Sequence, residues 1–135
     1  MAVAALVTWL LTALGGFSML GLWIRRGGLR DRGAGRTRFP APVVFGHMLL
    51  AAAGLVAWIL HLATGTTALA WTALAVLLPV ALLGFVMLAR WIPAHRARAT
   101  TDVPERAIPL PLVVGHGLLA VVTLALVLVA TLNGG

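Results

Sequence analysis

The sequence predicts an all-α fold: a polytopic membrane four-helix bundle made of two tandem helical-hairpin repeats. Three observations carry this reading. The chain of 135 residues is 61% hydrophobic and only 10% charged, against about 25% charged residues in soluble domains. Its apolar residues fall into runs long enough to cross a bilayer. One pattern of residues then occurs twice along the chain. The whole of 1–135 reads as a single transmembrane domain, with repeat one over about 3–66 and repeat two over about 67–135.

The runs come first. Ala2 to Ile24 carries no charge, nor does Phe39 to Ala89 apart from a polar break at Thr64-Gly65-Thr66-Thr67, nor does the chain from Ala107 onward. A span needs roughly 20 apolar residues to cross about 30 Å of hydrocarbon. The outer runs give one span each and the middle run two, predicting helices over 3–24, 42–63, 68–92 and 110–132. The first run has no basic residue before it and reads as a retained helix rather than a signal peptide. Trp23 and Trp91 fall at the inner ends and Trp71 near an outer end, as interfacial indoles do. Pro40, Pro42, Pro109 and Pro111 precede or open helices, where a missing N–H costs nothing. Pro79 lies inside the third span and predicts a kink there.

The net charge of +7 suggests nucleic acid only until its placement is read. Arg25, Arg26, Arg30, Arg32, Arg36 and Arg38 lie between the first two spans, and Arg90, Arg96, Arg98 and Arg106 at or after the end of the third. Asp31, Asp102 and Glu105 share those loops. This is the positive-inside pattern: a multi-pass protein of the cell membrane, both Arg-rich loops cytoplasmic and both termini external. The lipid bilayer, with its anionic headgroups, is the expected partner, and nucleic acid is not. The chain has no cysteine, which removes disulfides and thiolate-held metals.

The repeat is specific. Gly16-Phe17-Ser18-Met19-Leu20-Gly21-Leu22-Trp23-Ile24 matches Gly84-Phe85-Val86-Met87-Leu88-Ala89-Arg90-Trp91-Ile92 at an offset of 68 residues. The stretch from Phe39 to Ala51 matches that from Ile108 to Ala120 at an offset of 69, with eight identities in thirteen. Its signature, Pro-x-Pro-x-x-x-Gly-His, is not a generic apolar string. Two spans per copy give both copies the same orientation, hence a pseudo-two-fold axis along the membrane normal and closure as a four-helix bundle.

His47 and His116 are repeat partners, each about 8 Å inside its helix from the arginine end. Ionisable residues within a span are costly and are candidate functional groups. Two histidines at one depth suit the two axial positions of a haem iron, a metal held by neutral imidazole within an apolar interior. Gly46, Gly115 and Gly117 flank them, and Gly15, Gly16 and Gly84 lie at comparable depth on the other helices, where small residues permit close approach. Met19 with Met87, and Phe17 with Phe85, are placed to pack on a porphyrin. Arg25, Arg26 and Arg90 are placed to meet its propionates. His61 follows His47 by fourteen residues, close to four turns, so both project from one face about 21 Å apart.

These residues resemble the transmembrane b-type cytochromes, which carry histidines thirteen or fourteen apart on each of two helices around two stacked haems. The resemblance covers all four helices in pattern, and in motif His47, His61, His116 and the glycines. It departs where Ala130 stands fourteen residues after His116, leaving the outer pair incomplete. It implies haem b held by His47 and His116, and an electron-transfer protein rather than a catalyst. Quinone or a redox protein is the implied partner, and an oligomer is compatible. His61 would serve a second site only with an unusual ligand or another subunit, and near the outer interface it reads more simply as a wet histidine. His95 reads as solvated. The alternative is a cofactor-free accessory membrane subunit in which His47 and His116 pack or hydrogen-bond. No carboxylate within a span, no local partners for Ser18 and no phosphate-binding glycine loop point to soluble-enzyme chemistry.

Overall fold

The computed structural model describes residues 1–30, 37–96 and 103–134. Asp31, Arg32, Arg36, Arg98 and Asp102 lie outside the described residues. The four apolar runs are four helices: α1 (Ala2–Arg25), α2 (Ala41–Thr64), α3 (Thr67–Arg96) and α4 (Leu110–Leu132), with a 3-10 turn at Pro104–Ala107 leading into α4. All four are long and apolar enough to cross a membrane, and no strand occurs among the described residues. The protein is a four-helix bundle of membrane-spanning character.

The helix boundaries follow local chemistry. Pro40 and Pro109 cap α2 and α4 in extended conformation, with ψ of 128° and 141°. Pro42 and Pro111 follow in the first turns, where φ is already helical and no N–H is missed. Gly65 ends α2 in the left-handed conformation (φ 68°), returning its N–H to the His61 carbonyl at 2.8 Å. A residue with a Cβ would be strained at that φ, and α3 begins two residues later. α3 is longer than its hydropathy predicts, continuing through Pro93 to Arg96. Its last turn buries Trp91 and Ala94, so tertiary packing carries the helix past the proline. Pro79 and Pro93 are both exposed within α3, and each removes one backbone N–H donor from the helix.

α2 packs chiefly on α3, and α1 chiefly on α4; the contacts of α1 with α2 and of α3 with α4 are thinner. The bundle is therefore two tight pairs, the consecutive helices α2 and α3 and the first and last helices α1 and α4. Lipid gives no hydrophobic drive between helices, so small residues that permit close approach do most of the joining. Ala5, Ala57, Ala70, Ala73 and Ala130 pack around Trp9 and Trp58 at the end carrying the termini. Gly54 is a requirement there, because a Cβ on it would stand 3.1 Å from the Trp9 ring. At the arginine end a second cluster holds Trp23, Phe39, Val44, Trp91 and Ile108, with Met19 and Met87 against it. Between these two clusters lie His47 and His116.

Candidate functional site

His47 rises from the second turn of α2 and His116 from the second turn of α4, and the structure brings their rings together across the bundle. The ring centroids are 6.2 Å apart with planes inclined at 54°. His47 Nδ1 is 2.9 Å from the Val80 carbonyl on α3, and His116 Nδ1 is 2.9 Å from the Thr12 carbonyl on α1. A carbonyl only accepts, so each Nδ1 carries the hydrogen and donates it. The tautomer is thereby fixed, with the lone pair on Nε2. Among the described residues neither Nε2 has a hydrogen-bond partner.

Thr12 and Val80 are 68 residues apart, the offset at which their helices match in sequence. Four residues beyond each lies a glycine, Gly16 on α1 and Gly84 on α3. A side chain at that position would overlie the carbonyl, since residues four apart stack on one helix face. A Cβ on Gly16 would stand 3.2 Å from His116 Cε1, and one on Gly84 would stand 3.4 Å from His47 Cε1. These glycines therefore clear the path of each histidine to its carbonyl. Gly15 also borders His116, at 3.6 Å. Gly46 meets only Leu83 at 3.7 Å, and Gly115 and Gly117 meet nothing within 4 Å, so the glycines flanking the histidines make no room for a neighbour.

Met19 and Met87 lie on the interior side one turn beyond Gly16 and Gly84, packed into the arginine-end cluster. Phe17 and Phe85 do not join them, being 57% and 64% exposed. The residue after a glycine is turned by about 100° around the helix, which carries both phenyl rings to the outer surface. Arg25 is exposed in the last turn of α1. Arg90 donates from Nη1 to the Arg38 carbonyl at 3.1 Å, which turns it toward the start of α2.

His61 is not wet. It is 4% exposed, donates from Nδ1 to the Thr66 carbonyl at 3.1 Å and lies 5.2 Å from the Trp58 ring. Trp58, one turn earlier, and the α2–α3 turn together exclude water from it. His95 is exposed and stacks on Trp91 at 4.4 Å.

Sequence reasoning missed Glu105. The sequence places it in an Arg-rich loop and gives it no role, yet it is fully buried. Its Oε1 accepts from the Trp23 indole at 3.2 Å, the Arg38 amide at 2.9 Å, the Phe39 amide at 3.1 Å and the Thr37 hydroxyl. One carboxylate thus ties the end of α1, the start of α2 and the approach to α4 together. The only hint in the sequence is Trp23, whose buried N–H needs an acceptor that no apolar span supplies.

No group of three or more His, Cys, Asp or Glu side chains suited to a metal occurs among the described residues. A metal at His47 and His116 would take its other ligands from a non-protein group. Comparison with protein-family models, curated proteins and solved structures returns no match.

Proposed function

We propose that the protein is a haem b-binding membrane protein, with His47 and His116 as axial ligands, that passes electrons between quinol or a partner and another redox protein. The observation that carries this reading is the approach of the two rings to 6.2 Å, each with its Nδ1–H committed to a carbonyl and its Nε2 without a partner among the described residues. Two imidazoles sharing one metal at about 2 Å per bond bring their ring centres to about that separation. Donation of each Nδ1–H to a carbonyl is the outer-shell arrangement that orients a metal-ligating imidazole and raises its basicity. The two rings belong to different helix pairs, His47 to α2–α3 and His116 to α1–α4, and the contacts between the pairs are thinner than those within them. When bound, haem would supply one-electron transfer, and the chain would ligate, orient and bury it.

The same reading treats the chain as a tandem repeat about a pseudo-two-fold axis. The paired contacts His47–Val80 and His116–Thr12, the paired glycines and the paired helix contacts all relate at the sequence offsets, which supports it. The arginine loops are cytoplasmic in this account.

A second reading is favoured by the two carbonyl hydrogen bonds themselves. Each joins the two helices of a tight pair, so the histidines alone would serve a cofactor-free structural subunit. The visible spectrum of protein purified from haem-sufficient cells separates the two. A reduced bis-histidine b-type spectrum at about one haem per chain supports the first, and a colourless, folded protein the second.

A further inference from the structure

The arginine end carries an open groove of roughly 310 Å³ between the start of α2 and the end of α3, lined by residues 37–42 and Arg90. Arg90 is held at its edge by donation to the Arg38 carbonyl at 3.1 Å, and its guanidinium, with five N–H donors, has no other partner among the described residues. Arg38 is also exposed there. The loop beneath is fixed from inside, because the Arg38 and Phe39 amides are both taken by Glu105. α2 points its N-terminus into the groove, adding positive potential, and the Ala41 amide has no acceptor among the described residues. Among the described residues no carboxylate lines it. Below it, Val86 stands one turn under Arg90 on α3 and Leu49 two turns under Pro42 on α2; both are exposed and lead as an apolar surface from the groove toward mid-span.

We propose that this groove binds a phosphate group through Arg90 and Arg38 above the first turn of α2. Planar guanidinium groups pair with phosphate through several N–H bonds at once. The apolar surface beneath matches the acyl chains of an anionic phospholipid, the source that fits better than free phosphate. The groove lies at one edge of the bundle, and the histidine pair takes no part in it.

The test uses the full chain in phosphatidylcholine nanodiscs containing a minor fraction of phosphatidylglycerol, with retained lipid read by native mass spectrometry. Wild type should retain phosphatidylglycerol over phosphatidylcholine. R38Q or R90Q should each weaken retention about tenfold, the worth of one charge-assisted hydrogen bond, and R38Q/R90Q should abolish it. R25Q/R26Q removes equal charge from the same end and should change nothing. In a second arm, inorganic phosphate is titrated in nanodiscs free of anionic lipid; saturable binding there, lost in R38Q/R90Q and without phosphatidylglycerol retention, assigns the site to free phosphate. Should the double variant fail to fold, Arg38→Gln alone keeps the backbone contacts to Glu105 and Arg90 and reads the same site. Equal lipid retention by R38Q/R90Q, equal loss in R25Q/R26Q, or absence of both lipid and phosphate binding overturns the proposal.

Discussion

The imidazole of His47 faces that of His116 at 6.2 Å between ring centroids, although α2 and α4 are diagonal partners and each packs on another helix. Each ring is held from behind by a carbonyl of its own neighbour, Val80 or Thr12. What the pair can do depends on those supports.

The first prediction concerns the glycines that admit the rings. Gly16→Val and Gly84→Val should each destabilise the bundle by roughly 1–3 kcal/mol, the usual cost of overpacking. The added groups would push a histidine off its carbonyl. Gly115→Ala and Gly117→Ala, which meet nothing within 4 Å, should be neutral or slightly stabilising. Unfolding midpoints in detergent compare the four, and equal losses at all four positions would contradict this account.

Glu105 supplies the second. Glu105→Ala removes an acceptor shared by one indole, one hydroxyl and two amides, leaving the Arg38 amide without it and the Trp23 and Phe39 N–H groups with only the Thr37 hydroxyl. A loss of roughly 3 kcal/mol is expected. Glu105→Gln keeps an oxygen acceptor and should cost distinctly less. Tryptophan fluorescence should report the Ala variant too, since Trp23 loses one of its two acceptors and keeps only the Thr37 hydroxyl.

Topology gives the third. A cysteine introduced within 31–36 should be shielded from membrane-impermeant maleimide in intact cells, and one at 133–135 should react. The chain has no native cysteine, so each label reports one site. Labelling of 31–36 from outside would reverse the orientation.

The four helices were legible because hydropathy and length are global properties of each run. The facing histidines were legible because the Gly-His repeat fixes both at one depth. Other features depend on rotation about a helix or on contacts distant in sequence. Phe17 and Phe85 follow the interior glycines by one residue, and helical rotation alone could have placed them outside. Met19 and Met87, three residues on, return inside. His61 is buried by Trp58 and by its own turn, which hydropathy near an interface does not report. Glu105 lies 82 residues from Trp23 in the chain, and its burial is decided by donors from α1 and the start of α2. α3 runs past Pro93 because Trp91 and Ala94 pack, a tertiary reason that overrides a local breaker.

The visible spectrum of the purified protein, compared among wild type, His47→Ala, His116→Ala and His61→Ala, tests the central claim most directly. Wild type should show a reduced low-spin bis-histidine spectrum, and loss of either axial ligand should abolish it. His61→Ala should retain it, because that ring lies about 21 Å along α2 and is committed to Thr66 and Trp58. Loss of haem from the His61 variant with retention in the His116 variant, or no haem in folded wild type, would contradict the account.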